Sequence, residues 1–313
     1  MISAHSLRID YDEVTAVFDL DLTIPAGQIY GLVGPNGAGK TSTIKALAGI
    51  LEPTYGEIKI GGVDLELHPQ ETLLKLGYMP DFPPVYENLK VWEYLDVFAT
   101  AYKIPKSERL KRVRHWIERV DLTTKYEAFI HTLSRGMRQR LVLAKTLLHE
   151  PSVLLLDEPA SGMDPMARMD LRKILKDVAT QGTTVLISSH ILTELSDFCT
   201  AIGIMEKGRM IVSGTIEEIR ARVGSKGRLT VRLADLEQGF RERLRDTLRS
   251  SEMVVDIVEK GIGEFAGFFT GNPVQAAKIL RDIVGQGVPI SDFHLEEENV
   301  EDIFFKIGAK EVS

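Results

Sequence analysis

Residues 34–41 of this chain read Gly34-Pro-Asn-Gly-Ala-Gly-Lys-Thr41 and are its most informative segment. It directly follows the short apolar run Ile29–Val33 and leads into a helical segment that begins near Lys40. A glycine-rich turn between a buried strand and a helix, ending in Lys and Thr, is the P-loop pattern. The sequence therefore predicts an α/β fold of the P-loop NTPase type, in which strands and helices alternate around a parallel sheet.

The turn itself is a candidate binding site for ATP. Its backbone N–H groups and the positive end of the following helix suit phosphate groups. The ammonium group of Lys40 can reach the β- and γ-phosphates, and the hydroxyl of Thr41 is a candidate ligand for Mg²⁺. The predicted nucleotide-binding residues of this stretch are Gly34, Pro35, Asn36, Gly37, Ala38, Gly39, Lys40, Thr41 and Ser42.

Two further apolar runs, Val153–Leu156 and 184–188, also predict buried strands that lead through polar turns into helices. The carboxyl ends of parallel strands share one sheet edge, so the residues after these runs should meet the P-loop. Asp157 and Glu158 follow the first run, and burying two carboxylates there is costly without a cation. We expect Asp157 to hold Mg²⁺ through a water molecule and Glu158 to be the general base for the attacking water. An ordinary helix cap before Pro159 is the alternative.

The composition of the 313-residue chain limits its class. Hydrophobic residues make up 44% and charged residues 27%, as in an ordinary globular protein. Apolar runs have strand length, far below the roughly 20 residues of a membrane helix, and no signal peptide is evident. The net charge of −7 argues against nucleic acid as the main partner. The single cysteine, Cys199, excludes an internal disulfide and fits a reducing, cytosolic location.

Two domains are predicted. Residues 1–223 form the ATP-binding domain, with a helical insertion at about 90–150, where helical periodicity replaces the strand pattern. After a linker, residues 228–313 follow the order β-α-β-β-α-β, which predicts a small α+β domain of the ferredoxin-like type. Its strands are expected at 228–233, 253–259, 264–270 and 290–295, and its helices at 236–249, 273–286 and 300–307.

A second anion site is predicted at Leu133-Ser-Arg-Gly-Met-Arg-Gln139, where Ser134 precedes an amphipathic helix. Five motifs follow one another in an order that is typical of one protein family. They are the P-loop, this stretch, Asp157-Glu158, the loop Ser161-Gly-Met-Asp164 and His190. That order closely resembles the nucleotide-binding subunits of the ATP-binding cassette (ABC) transporter superfamily. The resemblance covers about residues 5–222.

The resemblance implies a head-to-tail dimer, either a homodimer or a heterodimer with a paralogue. In the family, the signature stretch of one subunit caps the ATP that is held on the P-loop of the other. Ser134 and Gly136 would make this contact here. Asp164 would link the two halves of the dimer.

The resemblance also assigns single residues around the nucleotide. Tyr11 would stack on adenine, and His190 would contact the γ-phosphate. Glu158, His190 and Lys40 are thus the candidate catalytic residues. Asp81 stands where the family generally has Gln; it is a candidate member of the Mg²⁺ shell through water, and its charge bears on how ATP occupancy is relayed to a membrane partner.

The signature stretch departs from the usual family pattern in two places. Arg135 stands where the family usually has Gly, and Met137 stands where it usually has Gln. Ser134 and Gly136 are retained, so the expected phosphate contact is kept.

The stretches 134–140 and 300–305 look most like the ABC-2 type exporter branch of the family. We therefore expect an ATPase subunit, converting ATP and water to ADP and phosphate, that drives a separate membrane permease from the inner face of the cell membrane. By resemblance, residues 82–102 would dock on that permease. An import ATPase, a soluble ABC ATPase that acts on ribosomes or DNA, and a C-terminal small-molecule sensor are the alternatives.

Overall fold

A computed structural model describes residues 1–223 and 227–296 of the chain. The chain separates into two compact units, Met1–Ile216 and Glu217–Ser313. Within the described ranges, every helix is too short or too polar to cross a bilayer.

The first unit is built from two sheets and the helices between their strands. Its strands are β1 (Ile2–Tyr11), β2 (Val14–Ile24), β3 (Ile29–Val33), β4 (Tyr55–Ile60), β5 (Val63–Asp64), β6 (Leu76–Met79), β7 (Val153–Leu156), β8 (Thr184–Ser189), β9 (Ala201–Glu206) and β10 (Arg209–Gly214). Its helices are α1 (Lys40–Leu47), α2 (Pro69–Leu74), α3 (Val91–Ala101), α4 (Lys106–Arg119), α5 (Arg135–Leu147), α6 (Pro165–Thr180) and α7 (Leu192–Ser196), and α8 (Ile216–Val223) begins at the boundary between the units.

The larger sheet has the strand order β10-β9-β3-β8-β7-β6. Strands β6, β7, β8, β3 and β9 run parallel, whereas β10 is antiparallel to β9. Every residue of β3, β7 and β8 is buried, as expected for strands covered on both faces. The three strands that the sequence predicted are therefore confirmed, and their carboxyl ends meet at one edge.

The smaller sheet is antiparallel and has the order β2-β1-β4-β5, which the sequence analysis did not predict. Ile2 of β1 pairs with Ile24 of β2 and with Ile60 of β4, and all three side chains are buried. They share a hydrophobic core with Ile44 and Leu47 of α1. This core fixes α1, the helix that follows the P-loop.

The helical region expected at about 90–150 contains α3, α4 and α5, with short 3-10 turns at Thr123–Lys125 and Ile130–Thr132. Helix α3 buries Tyr94 and Leu95, and α4 buries Trp116. Helix α3 contacts both α4 and α5. This packing positions the first turn of α5, which belongs to the signature stretch.

The second unit has the predicted order of elements. They are β11 (Gly227–Leu233), α9 (Gln238–Ser250), β12 (Val254–Gly261), β13 (Glu264–Phe269), α10 (Pro273–Gly285) and β14 (Ile290–Glu296). The strands form an antiparallel sheet in the order β12-β13-β11-β14. Leu244 of α9 and Ile283 of α10 share a core with Phe265 and Phe269 of β13. The helix predicted at 300–307 lies outside the described residues.

Candidate functional site

The P-loop joins β3 to α1, and two of its glycines are required by their surroundings. A Cβ atom on Gly34 would lie 2.2 Å from the carbonyl oxygen of Met205. Gly39 has φ +100°, and a Cβ atom there would lie 2.5 Å from the carbonyl oxygen of Ala16. Only glycine avoids both contacts, so these positions keep the turn close against its neighbours.

Lys40 is buried, with 6% of its surface exposed. Its Nζ donates to the carbonyl oxygens of Gly34 at 2.6 Å and Pro35 at 3.2 Å, and it lies 3.7 Å from Glu158 Oε1. Burial lowers the pKa of Lys40, while the charges of Glu158 and Asp157 act in the opposite direction. The ammonium group therefore lies against the P-loop backbone and close to Glu158, the predicted base.

Asp157 is held at the end of β7 by a residue that the sequence analysis missed. The Ser188 hydroxyl donates to Asp157 Oδ1 at 2.7 Å and accepts from the backbone N–H of Glu158 at 3.0 Å. Asp157 is 2% exposed, and Ser188 is fully buried. Two consecutive hydroxyl residues, Ser188 and Ser189, at the end of an apolar run were the available signal. Ser188 thus fixes both carboxylate residues from the neighbouring strand β8.

Glu158 lies between two nitrogen groups. Its Oε2 is 2.9 Å from His190 Nδ1, and its Oε1 is 3.7 Å from Lys40 Nζ. A carboxylate oxygen accepts from the His190 tautomer that carries its proton on Nδ1. Glu158 itself has φ +48°, a conformation that side-chain-bearing residues rarely adopt.

The P-loop and the residues after β7 and β8 line one cavity of about 370 Å³. Ala16 and Ser161 line it as well, although neither was predicted from the sequence to be a site residue. The lining residues are Ala16, Asn36, Gly37, Ala38, Gly39, Lys40, Thr41, Ser42, Asp81, Glu158, Ser161 and His190. Most of the predicted nucleotide site therefore comes together within one chain.

The residues predicted to hold Mg²⁺ offer oxygen donors, as that ion prefers. Asp81 Oδ1 is buried without a hydrogen-bond partner. Burial raises the pKa of Asp81, and the charges of Asp157 and Glu158 raise it further. A cation at this point would relieve the excess negative charge. Among the described residues, no group of three or more His, Cys, Asp or Glu side chains forms a metal cage by itself. Mg²⁺ commonly uses one or two carboxylates together with water and substrate phosphates.

Tyr11 lies beside the P-loop helix rather than among the residues that line the cavity. Its hydroxyl donates to Ser42 Oγ at 3.3 Å, and 43% of the residue is exposed. The ring is therefore accessible near the first turn of α1.

Ser134 and Gly136 lie at the start of α5 and are not among the residues that line the cavity. Ser134 caps the helix by accepting from the N–H of Met137 at 3.3 Å. Within the described part of the chain, nothing lies within 4 Å of the place where a Cβ atom on Gly136 would stand. Asp164 caps α6 by accepting from the N–H of Ala167 at 3.0 Å, and this bond lowers the pKa of Asp164.

Comparison with known proteins decides the family. Residues 17–161 match the family model described as ABC transporter. The chain is 31% identical over 310 residues to the uncharacterised ABC transporter ATP-binding protein YhaQ of Bacillus subtilis, covering 99% of each chain. This chain belongs to the ABC transporter ATP-binding proteins.

Two further relatives match this ABC ATPase over nearly its whole length. The linearmycin resistance ATP-binding protein LnrL of Bacillus subtilis is 27% identical, covering 99% of each chain. The Nod factor export ATP-binding protein I of Cupriavidus metallidurans is 29% identical, covering 100% of this chain and 98% of its own.

A solved ATP-binding subunit of an ABC transporter superposes with a TM-score of 0.67 at 30% identity, covering 72% of this chain and 93% of its own. A dimeric cassette bound to ADP and Pi, at 21% identity and a TM-score of 0.63, has the same fold. The ABC ATPase therefore binds ATP and hydrolyses it to drive transport, with the P-loop cavity as its candidate active site.

Proposed function

We propose that this ABC ATPase energises export through a separate membrane permease. Two copies, or one copy and a paralogue, close around two molecules of MgATP and open again after hydrolysis. The protein would then work at the inner face of the cell membrane, attached through the permease. One observation carries the hydrolytic part of the proposal: Glu158 lies on the wall of the P-loop cavity within reach of both Lys40 and His190.

Each residue of this arrangement has a proposed role in hydrolysis. Glu158 accepts the proton of the attacking water, and His190 fixes the carboxylate and faces the γ-phosphate. Lys40 and the P-loop N–H groups bind the β- and γ-phosphates. Mg²⁺, when bound, would neutralise charge on the phosphate oxygens. Thr41 would hold it directly, and Asp157 and Asp81 would hold it through water.

The positions of Ser134 and Gly136 support a site shared between two copies. Both lie at the start of α5, outside the cavity lining of their own chain. The open space at Gly136 allows close approach of a phosphate group from another subunit. Tyr11 would stack on the adenine ring, and Asp164 would lie near the contact between the copies.

Export is supported by the relative that is named for Nod factor export. A second relative is named for linearmycin resistance. The segment 82–102 is the proposed docking surface for the permease. Phe82 is 73% exposed and Tyr86 is 60% exposed, and exposed aromatic side chains suit an interface.

The proposed domains are 1–223 for the ATPase and 228–313 for an accessory domain. The order β12-β13-β11-β14, with α9 and α10 sharing a core with β13, supports a ferredoxin-like arrangement for the accessory domain.

Light scattering of Glu158→Gln tests the proposal. The variant should bind MgATP, form an ATP-dependent dimer and lose turnover. A strictly monomeric species at high protein concentration with MgATP contradicts the dimer, and normal turnover removes Glu158 from the role of base. The single variant Lys40→Met is the matched control, because it should neither bind MgATP tightly nor dimerise.

A further inference from the structure

Arg135 connects two parts of the chain that the proposed dimer uses for different ATP molecules. It is the first residue of α5 and stands between Ser134 and Gly136. Its Nη2 donates to Ser161 Oγ at 3.1 Å, and Ser161 lines the P-loop cavity of the same chain. The side chain therefore ties the signature helix to the cavity of its own chain.

The connection continues to Glu158 through the backbone. The N–H of Ser161 donates to the carbonyl oxygen of Glu158 at 3.1 Å, which closes the turn between them. Within this turn Glu158 has φ +48°. Such a conformation persists only where the surroundings hold it. A displacement of Ser161 therefore acts on the backbone that aims the Glu158 carboxylate.

Two other contacts show that the residues around the Arg135 side chain accommodate a guanidinium group. The guanidinium carbon of Arg135 lies 5.1 Å from the centroid of the Phe82 ring. A Cβ atom on Gly162 would lie 2.9 Å from Arg135 Nε, so this glycine leaves room for the arginine side chain. A planar guanidinium can stack on a ring and donate sideways at the same time, which an ammonium group cannot do equally well.

We propose that Arg135 is a positioning residue that couples the two ATP sites of the dimer. When Ser134 and Gly136 close on the ATP of the other copy, Arg135 passes the movement through Ser161 to the Glu158 turn of its own chain. Hydrolysis at one site then depends on closure at the other. This inference rests on the proposed dimer with shared sites.

Mixed dimers distinguish this coupling from a direct contact between Arg135 and the partner's ATP. One chain of each dimer carries Glu158→Gln, so only one general base is active, and two affinity tags allow purification. In the first dimer, Arg135→Gly is placed on the chain with the active Glu158. In the second dimer, Arg135→Gly is placed on the Glu158→Gln chain.

The reference is a mixed dimer in which both chains keep Arg135. Coupling predicts that kcat of the first dimer is roughly tenfold lower than kcat of this reference, because about one hydrogen bond to a charged group is lost. The second dimer should stay within about twofold of that reference. Equal losses in both dimers, a loss only in the second dimer, or no loss in either would each overturn the proposal. Arg135→Lys keeps the positive charge but loses the planar guanidinium group. It must also lower kcat more in the first arrangement of the mixed dimer than in the second.

Two measurements distinguish a failure of the role proposed for Arg135 from a failure of the proposed function. MgATP binding to the single chain should be the same with and without Arg135→Gly, since Arg135 does not line the cavity. If the Glu158→Gln chains do not dimerise with MgATP, the proposed function fails. If dimers form and the two arrangements behave alike, only the role of Arg135 fails.

Discussion

His190 Nδ1 lies 2.9 Å from Glu158 Oε2, although the two residues are 32 positions apart in the chain. They meet because β7 and β8 are parallel neighbours, and each residue follows the carboxyl end of one of these strands. The pair places an imidazole against the proposed base on the wall of the P-loop cavity. The orientation of the proposed base is thus set by a residue that follows the neighbouring strand β8.

Replacement of His190 by Ala should lower kcat for ATP hydrolysis by about a hundredfold, because the Glu158 carboxylate loses the donor that orients it. KM for MgATP should change little. Steady-state phosphate release measures both constants. His115→Ala, on the exposed face of α4, is the control and should behave like the parent. A His190→Ala variant with the parent kcat would exclude the pair from the chemistry.

Replacement of Ser188 by Ala should lower the free energy of unfolding by about 2 kcal/mol. The change leaves Asp157 Oδ1 and the N–H of Glu158 without their partner in a buried place. Urea unfolding followed by tryptophan fluorescence measures the change. The exposed Ser152→Ala should stay within about 0.5 kcal/mol of the parent. Equal stability of the two variants would show that the hydroxyl of Ser188 is dispensable.

Tryptophan fluorescence reports on the unit that contains Ser188. Both tryptophans, Trp92 and Trp116, lie in Met1–Ile216. Their fluorescence therefore follows the unfolding of the ATP-binding unit.

Alanine at Gly34 and at Gly37 should have unequal effects on nucleotide binding. At Gly34 the new Cβ atom would collide with the backbone of Met205, so the loop must move and MgATP affinity should fall by more than about a hundredfold. At Gly37 the space is open among the described residues and only φ +82° is unfavourable, at a cost of about 1 kcal/mol. Calorimetric titration would measure both affinities, and similar values would contradict the proposed geometry.

Replacement of Lys145 by Met should stabilise the protein at neutral pH. Burial lowers the pKa of Lys145 below its ordinary value of 10.5, because the charged form loses solvation. Between the lowered pKa and 10.5 the unfolded chain holds more protons than the folded chain, so the stability of the parent rises with pH. The gain in the free energy of unfolding from Lys145→Met should therefore be full below the lowered pKa and shrink as the pH rises from there toward 10.5.

Urea unfolding at a series of pH values would measure this dependence. Lys173→Met, on the exposed face of α6, is the matched control and should show little change at any pH. A gain from Lys145→Met that stays constant up to pH 10.5 would show that packing, rather than the buried charge, is responsible.

The placement of the P-loop, Asp157 and Glu158 at the carboxyl edge of the large sheet could be predicted because its signals are local, whereas their roles in catalysis stay predictions. The P-loop, Asp157 and Glu158 each follow a continuous apolar run in the sequence, and β3 and β7 are wholly buried. The order of elements in the second unit was predictable for the same reason, since each element has its own periodicity.

Contacts between distant segments could not be predicted in this way. In the smaller sheet Ile2 pairs with Ile60, although the P-loop and α1 lie between them in the sequence. No local sequence pattern predicts that pairing. Ser188 was missed because a serine at a strand end has many possible partners, and its pairing with Asp157 depends on the order of β7 and β8. The contact of Arg135 with Ser161 depends likewise on how α5 packs.

The adjacency of β3, β8 and β7 also has a consequence for exchange with solvent. These strands carry the P-loop, His190 and Glu158, and each is paired on both sides inside the larger sheet. Their amide protons should be among the last of the ATP-binding unit to be replaced by deuterium, whereas those near Ser134 should be replaced early. Bond cleavage would thus take place beside some of the slowest-opening backbone of the ATP-binding unit, whereas assembly and release of the dimer would depend on faster-opening segments such as the start of α5.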